Sequence, residues 1–148
     1  MVEEALPITI RLCHQFEGFF PQPYLCPAGV PTIGFGTTRY PDGRAVGLGD
    51  APITRERADE LLLHDLRRVY LPAVQRLCPG VDTAPRLAAI LDWTYNLGAA
   101  NLAASTLRRR INQGDWQDVP AQLRRWIYAA GRPLRGLARR RDAEAALI

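Results

Sequence analysis

The sequence predicts an α+β fold of two lobes, a small antiparallel sheet beside a mostly helical remainder, and three observations carry the prediction. Apolar residues recur at helical spacing before residue 18 and again after residue 54. The stretch between, about 22–50, turns instead to proline, glycine, tyrosine, threonine and valine, with turn signals at Pro27-Ala28-Gly29 and Pro41-Asp42-Gly43. At 148 residues the chain is long enough for one domain, 1–148, around a single sizeable core. The seam between two such lobes is where a cleft forms.

Taken in order, Thr9, Leu12, Cys13 and Phe16 mark one face of a helix over about 8–18 that Gly18 stops. After the sheet region, Thr54 is a helix N-cap, and Ala58, Leu61, Leu62, Leu66, Val69 and Tyr70 follow at helical period until Pro72. Asp82 or Thr83 caps the next helix, whose face holds Leu87, Ile90, Leu91 and Thr94 and which ends near Gly98. Ser105 starts another that ends at Gly114. Asp118 and Pro120 open a further one, with Leu123, Trp126 and Ile127 inward and Gly131 as its stop. The last helix runs from about Gly136 to the end.

A chain that is 47% hydrophobic and 23% charged is not a disordered one. Its apolar runs fall far short of the roughly 20 residues that span a bilayer, and Met1-Val2-Glu3-Glu4 carries acid where a secretory signal carries positive charge. The expectation is therefore no stable membrane insertion. All 19 basic residues are arginine and the net charge is +4. Arg108-Arg109-Arg110, Arg124-Arg125 and Arg139-Arg140-Arg141 suit an anionic partner, yet no nucleic-acid recognition motif accompanies them. The odd cysteine count, Cys13, Cys26 and Cys78, lacks CxxC spacing and gives no disulfide framework. Two histidines, His14 and His64, without an HExxH pattern leave a metal-dependent mechanism little to build on.

Glu17 is the residue most suited to chemistry. It lies at a helix end among Phe16, Phe19 and Phe20, where desolvation and the negative helix terminus both favour the protonated form that a general acid needs. Tyr24-Leu25-Cys26 and Pro31 to Gly36 read as the strands of a hairpin that brings Cys26 and Thr32 together near its turn. The period of two puts Thr32, Gly34 and Gly36 on one face and Ile33 and Phe35 on the core face. Glycines in a strand mark either a close approach, such as a sugar ring, or a bulge or tight bend.

Glu17, eight residues, Cys26, five residues, Thr32 resembles the catalytic signature of the phage-type lysozymes, the endolysin muramidases of glycoside hydrolase family 24, whose middle position is Asp or Cys. Phe16-Glu17-Gly18, Pro23-Tyr24, Gly29 and Thr32 to Thr38 resemble the N-terminal block. Ile53-Thr54, Leu61-Leu62 and Asp65-Leu66 resemble the second. Tyr95 to Gly98, Ser105 to Leu107, Asn112 to Trp116, Trp126 to Gly131, and Gly136-Leu137 with Arg140, Arg141 and Glu144 resemble the later ones, so that the likeness covers essentially the whole chain.

The resemblance implies a lysozyme-like two-lobed fold and a monomeric, cofactor-free hydrolase of the β-1,4 bond between N-acetylmuramic acid and N-acetylglucosamine in peptidoglycan. Glu17 would protonate the glycosidic oxygen while Cys26 and Thr32 hold or activate water on the opposite face. That is the plan of an inverting enzyme, with its two groups about 6.5–9.5 Å apart. Tyr24, Gly34, Gly36, Tyr95 and Asn96 would contact the glycan, and Arg140 or Arg141 would orient Glu17. Family members without an export signal wait in the host cytoplasm for a holin pore. At Thr37 the sequence departs from the many relatives that have histidine there. A lytic transglycosylase on the same scaffold and an inactive wall-binding module are the competing readings, and retention of Cys26 and Thr32 favours the hydrolase.

Overall fold

A computed structural model describes residues 1–148. Helix α1 spans Val2–Glu17, beginning earlier than the periodicity indicated. Pro7 lies inside its second turn, where the missing N–H removes one bond near an end that is only partly bonded anyway, and Glu3 and Glu4 in the first turn complement the helix dipole. Ala5, Leu6, Thr9, Leu12 and Cys13 form its buried stripe. Gly18, at φ 72°, ends it as expected.

The sheet is smaller than the 22–50 region suggested. Strands β1 (Phe20–Leu25) and β2 (Pro31–Gly34) pair antiparallel, with Tyr24 opposite Thr32, Leu25 opposite Pro31, and a shift of register between Phe20 and Tyr24. The strand ends at Gly34 because the chain turns back on itself, Ile33 and Thr37 exchanging backbone bonds of 2.9 Å. Beyond it only a bridge between Arg39 and Ala45 continues the pairing.

Thr54 caps α2 (Arg55–Asp65) by accepting from the Arg57 N–H. Pro72 does not end this helix. A π-helical turn, Leu66–Tyr70, intervenes before α3 (Leu71–Leu77), and the Leu71 N–H reaches back to the Leu66 carbonyl. The wider turn carries the rod past a residue that has no N–H to give.

Helix α4 (Ala84–Leu97) is the axis of the molecule. Every residue from Leu87 to Thr94 is buried, Asp92 among them. Thr83, of the two candidates, is its cap, accepting from the Arg86 N–H, and Gly98 ends it at φ 93°. Helix α5 (Ala99–Ala104) was not anticipated; α6 (Thr106–Asn112) follows the Ser105 cap. Helix α7 stops at Val119–Arg124, well before Gly131. Trp126 and Ile127 are half-buried rather than inward. Ala130 and Gly131, at φ 50° and 77°, instead form the tight turn of a hairpin between β3 (Tyr128–Ala129) and β4 (Arg132–Pro133), the double positive φ that such turns require. Helix α8 (Arg135–Ala145) then packs back on α4 and α1.

Candidate active site

Three helices converge on Glu17. It is the last residue of α1, and its carboxylate Oε1 accepts from Arg140 Nη1 of α8 at 2.6 Å. The same guanidinium donates from Nε and Nη2 to the two oxygens of Asp92 on α4, each at 2.8 Å. Of the two candidate arginines, Arg140 is therefore the one in contact with Glu17. Burial works against its charge, and the Asp92 carboxylate more than offsets that, so the guanidinium is held even more firmly protonated than usual. Glu17 keeps 23% of its side-chain surface exposed while Asp92 has none.

Arg141 does not reach Glu17. The one-residue step turns it to the other side of α8, where it donates to Glu144 at 2.7 Å, to the Asn96 side-chain carbonyl at 2.8 Å and to the Trp126 carbonyl at 3.4 Å. Arg141 and Glu144 are both fully buried, and that burial pushes the Glu144 carboxyl well above the carboxylate range. Asn96, fixed by Arg141, borders the cleft beside Glu17. This cleft is about 790 Å³ and is walled by Phe16, Glu17, Asn96, Leu134, Arg139 and Arg140 among others.

Cys26 and Thr32 come together at the β1–β2 turn. The Cys26 N–H donates to the Val30 carbonyl at 3.0 Å, and the buried Thr32 hydroxyl donates to the same carbonyl at 2.9 Å. The thiol is a free one, held below its ordinary range by the Val30 backbone N–H first, with the Ala28 and Gly29 N–H groups and the Thr32 hydroxyl adding to it against some desolvation. The other thiols differ. Burial pushes Cys78 up to about 11 and Cys13 far higher. The Tyr24 phenol is raised chiefly by its own burial, with the negative charges of Glu17 and Cys26 adding to it.

The reading of Thr32, Gly34 and Gly36 as one open strand face is corrected by the turn at Gly34. Gly34 is buried at φ 68°, and a Cβ there would meet that of Ala58 at 3.1 Å; Gly36, at φ 111°, would bring one within 2.8 Å of the Tyr95 hydroxyl. These glycines serve a tight bend and close packing. Tyr95 likewise spends its hydroxyl on the fold, donating to the Phe35 carbonyl at 2.7 Å and tying α4 to the β lobe. The sequence reading missed Asp92. A carboxylate in the middle of the otherwise apolar run from Leu87 to Trp93 was the available signal, because a buried acid demands a partner.

A sequence model of the family described as phage lysozyme matches residues 14–144. The chain belongs to the phage lysozyme family. This phage lysozyme is 37% identical over 128 residues to the SAR-endolysin of Enterobacteria phage P21, covering 86% of this chain and 74% of that one. A solved structure of a P22 lysozyme point mutant superposes with a TM-score of 0.81 at 32% identity over 94% of this chain and 93% of its own. The endolysin from Escherichia coli O157:H7 phage FAHEc1 gives 0.81 at 31% identity over 95% and 89%. As a phage lysozyme the protein is a muramidase that hydrolyses peptidoglycan, and its helices with small antiparallel sheets are the lysozyme fold.

Proposed function

We propose that this phage lysozyme cleaves the β-1,4 bond between N-acetylmuramic acid and N-acetylglucosamine by inversion, with Glu17 as general acid and Cys26 with Thr32 directing water. The observation that carries the reading is that the Glu17 carboxylate, gripped by Arg140 at 2.6 Å, stays partly exposed on the largest cleft beside it. An acid fixed by a buried partner and open on one side can meet a glycosidic oxygen in a defined pose.

In the reaction the glycosidic carbon–oxygen bond breaks as Glu17 gives its proton to the departing oxygen. Water, held against the Cys26–Thr32 turn, forms the new bond to the anomeric carbon and gives its proton to the Cys26 thiolate. Thr32 serves by orienting the thiolate and the water rather than by changing its own charge. Asn96 and Tyr24 border the path of the glycan, the first from the helical lobe and the second from the sheet.

None of the helices here is long and apolar enough to cross a membrane. The reading has the protein act as a monomer made of one domain, reaching the wall from the host cytoplasm through a holin pore. Mass spectrometry of the muropeptides released from purified sacculi tests the chemistry. Reducing-end sugars are expected; 1,6-anhydro sugars would instead identify a transglycosylase.

A further inference from the structure

Asp92 and Glu17 hold one guanidinium from opposite edges, and only one of them faces the cleft. Asp92, on α4 and wholly buried, takes two of the Arg140 bonds at 2.8 Å, while Glu17, on α1, takes the third at 2.6 Å. We propose that Asp92 is a positioning residue for the acid: it fixes the plane of Arg140 and cancels most of its charge, so that Glu17 is oriented without being locked in its ionised form. The proposal rests on Glu17 being the general acid.

A lone arginine in contact with a carboxyl group lowers its pKa by about 1–3 units. That is the wrong direction for a group that must carry a proton at the moment of reaction. A bidentate carboxylate on the far edge of the same guanidinium turns the cation into a nearly neutral pair with a fixed N–H still aimed at Glu17. Because Glu17 uses only Nη1, its other oxygen stays free to carry and release the proton.

The surrounding groups leave this balance to Asp92. From α1, the Cys13 thiol donates to Asp92 Oδ1 at 3.5 Å and is kept neutral by burial. From α8, Glu144 adjoins Asp92, but it is raised by burial and already takes Arg141 at 2.7 Å. The Phe16 ring stands 5.7 Å from the Arg140 guanidinium carbon and adds no charge. Tyr24, Tyr70 and Tyr95 face Glu17 as neutral phenols, all three raised chiefly by their own burial.

The test is the titration of the Glu17 carboxyl, followed by 13C NMR, in the parent, Asp92→Asn, and the double variant Asp92→Asn with Arg140→Gln. Asp92→Asn, which keeps the shape and removes the charge, moves the midpoint down by about one unit or more. A midpoint that stays in place overturns the proposal. If Asp92→Asn does not fold, the double variant decides, since it leaves no unpaired charge at this position pair. Its midpoint lies within about half a unit of the parent's if the Asp92–Arg140 pair is close to neutral, and a midpoint raised by a full unit would contradict that. Glu17→Gln assayed on purified sacculi separates the two ideas, because parent-like activity there removes the acid assignment itself, whatever Asp92 does.

Discussion

The Thr37 hydroxyl, buried at the turn after β2, donates to Asp65 Oδ2 at the end of α2, 3.3 Å away. No arginine completes this contact, and the imidazole His64 Nδ1 is 3.9 Å from Asp65 Oδ1. Burial therefore dominates and pushes the Asp65 carboxyl up to about 6, with Thr37 and His64 opposing it.

An acid raised in the folded state binds more protons there than in the unfolded chain between roughly pH 4 and 6. Stability from this group is present below that window and is lost as pH rises through 6. Asp65→Asn should then raise the unfolding free energy at pH 8 by on the order of 2 kcal/mol and change it little at pH 4. Thermal melts of parent and variant at the two pH values check this, and a variant less stable at pH 8 would refute it.

Tyr95 and Gly36 should behave as one unit. Tyr95→Phe leaves the Phe35 carbonyl without its donor and should cost about 1–2 kcal/mol. Gly36→Ala should cost more, from the positive φ and the approach of the new methyl group to the Tyr95 hydroxyl. Removing that hydroxyl relieves the second part only, so the double variant should lose less than the sum of the singles, by about 0.5–1 kcal/mol in chemical denaturation.

The three thiols should separate by reactivity. Cys26 is half-exposed and lowered by the backbone amides of its turn, whereas Cys13 and Cys78 are buried and raised. Iodoacetamide at pH 7.5 should label Cys26 first, with a rate that climbs to a plateau below the pH of an ordinary thiol. Peptide mapping locates the label. Lysis should fall in step with labelling and should survive Cys26→Asp, while full activity in Cys26→Ala would remove Cys26 from the mechanism.

Arg141 is a structural arginine by its contacts. Arg141→Met strands Glu144 in the core and frees Asn96, and should lower stability by about 3 kcal/mol. Because it does not touch Glu17, the folded variant should keep the parent's pH profile, which the sacculus assay at 20 °C reads directly.

Much of the candidate site can be read from the chain because its determinants are local. Glu17, Cys26 and Thr32 lie within one helix end and one hairpin, and the spacing that unites them is short. Helix caps were equally readable at Thr54 and Ser105, and Gly18 and Gly98 marked the ends of α1 and α4. What escaped depends on distant neighbours. The choice of Arg140 over Arg141 is a matter of helix rotation against α1, some 120 residues away. Asp92 shows in the chain as an acid inside an apolar run, but that its partner is Arg140 depends on how α8 packs against α4. Pro72 looked like a stop because a π-helical turn leaves no compositional trace, and Gly36 looked open because nothing in the local sequence says that Tyr95 stands over it.

In the proposed reaction a carboxyl group at position 17 performs the acid step. The decisive measurement is turbidity clearing of chloroform-permeabilised Gram-negative cells by the parent and by Glu17→Gln, with circular dichroism confirming that both are folded. Lysis by the parent, with a loss of at least about 100-fold in the variant, is the predicted result. Equal lysis by the two folded proteins would contradict it and point to disruption of the envelope by the arginine-rich surface.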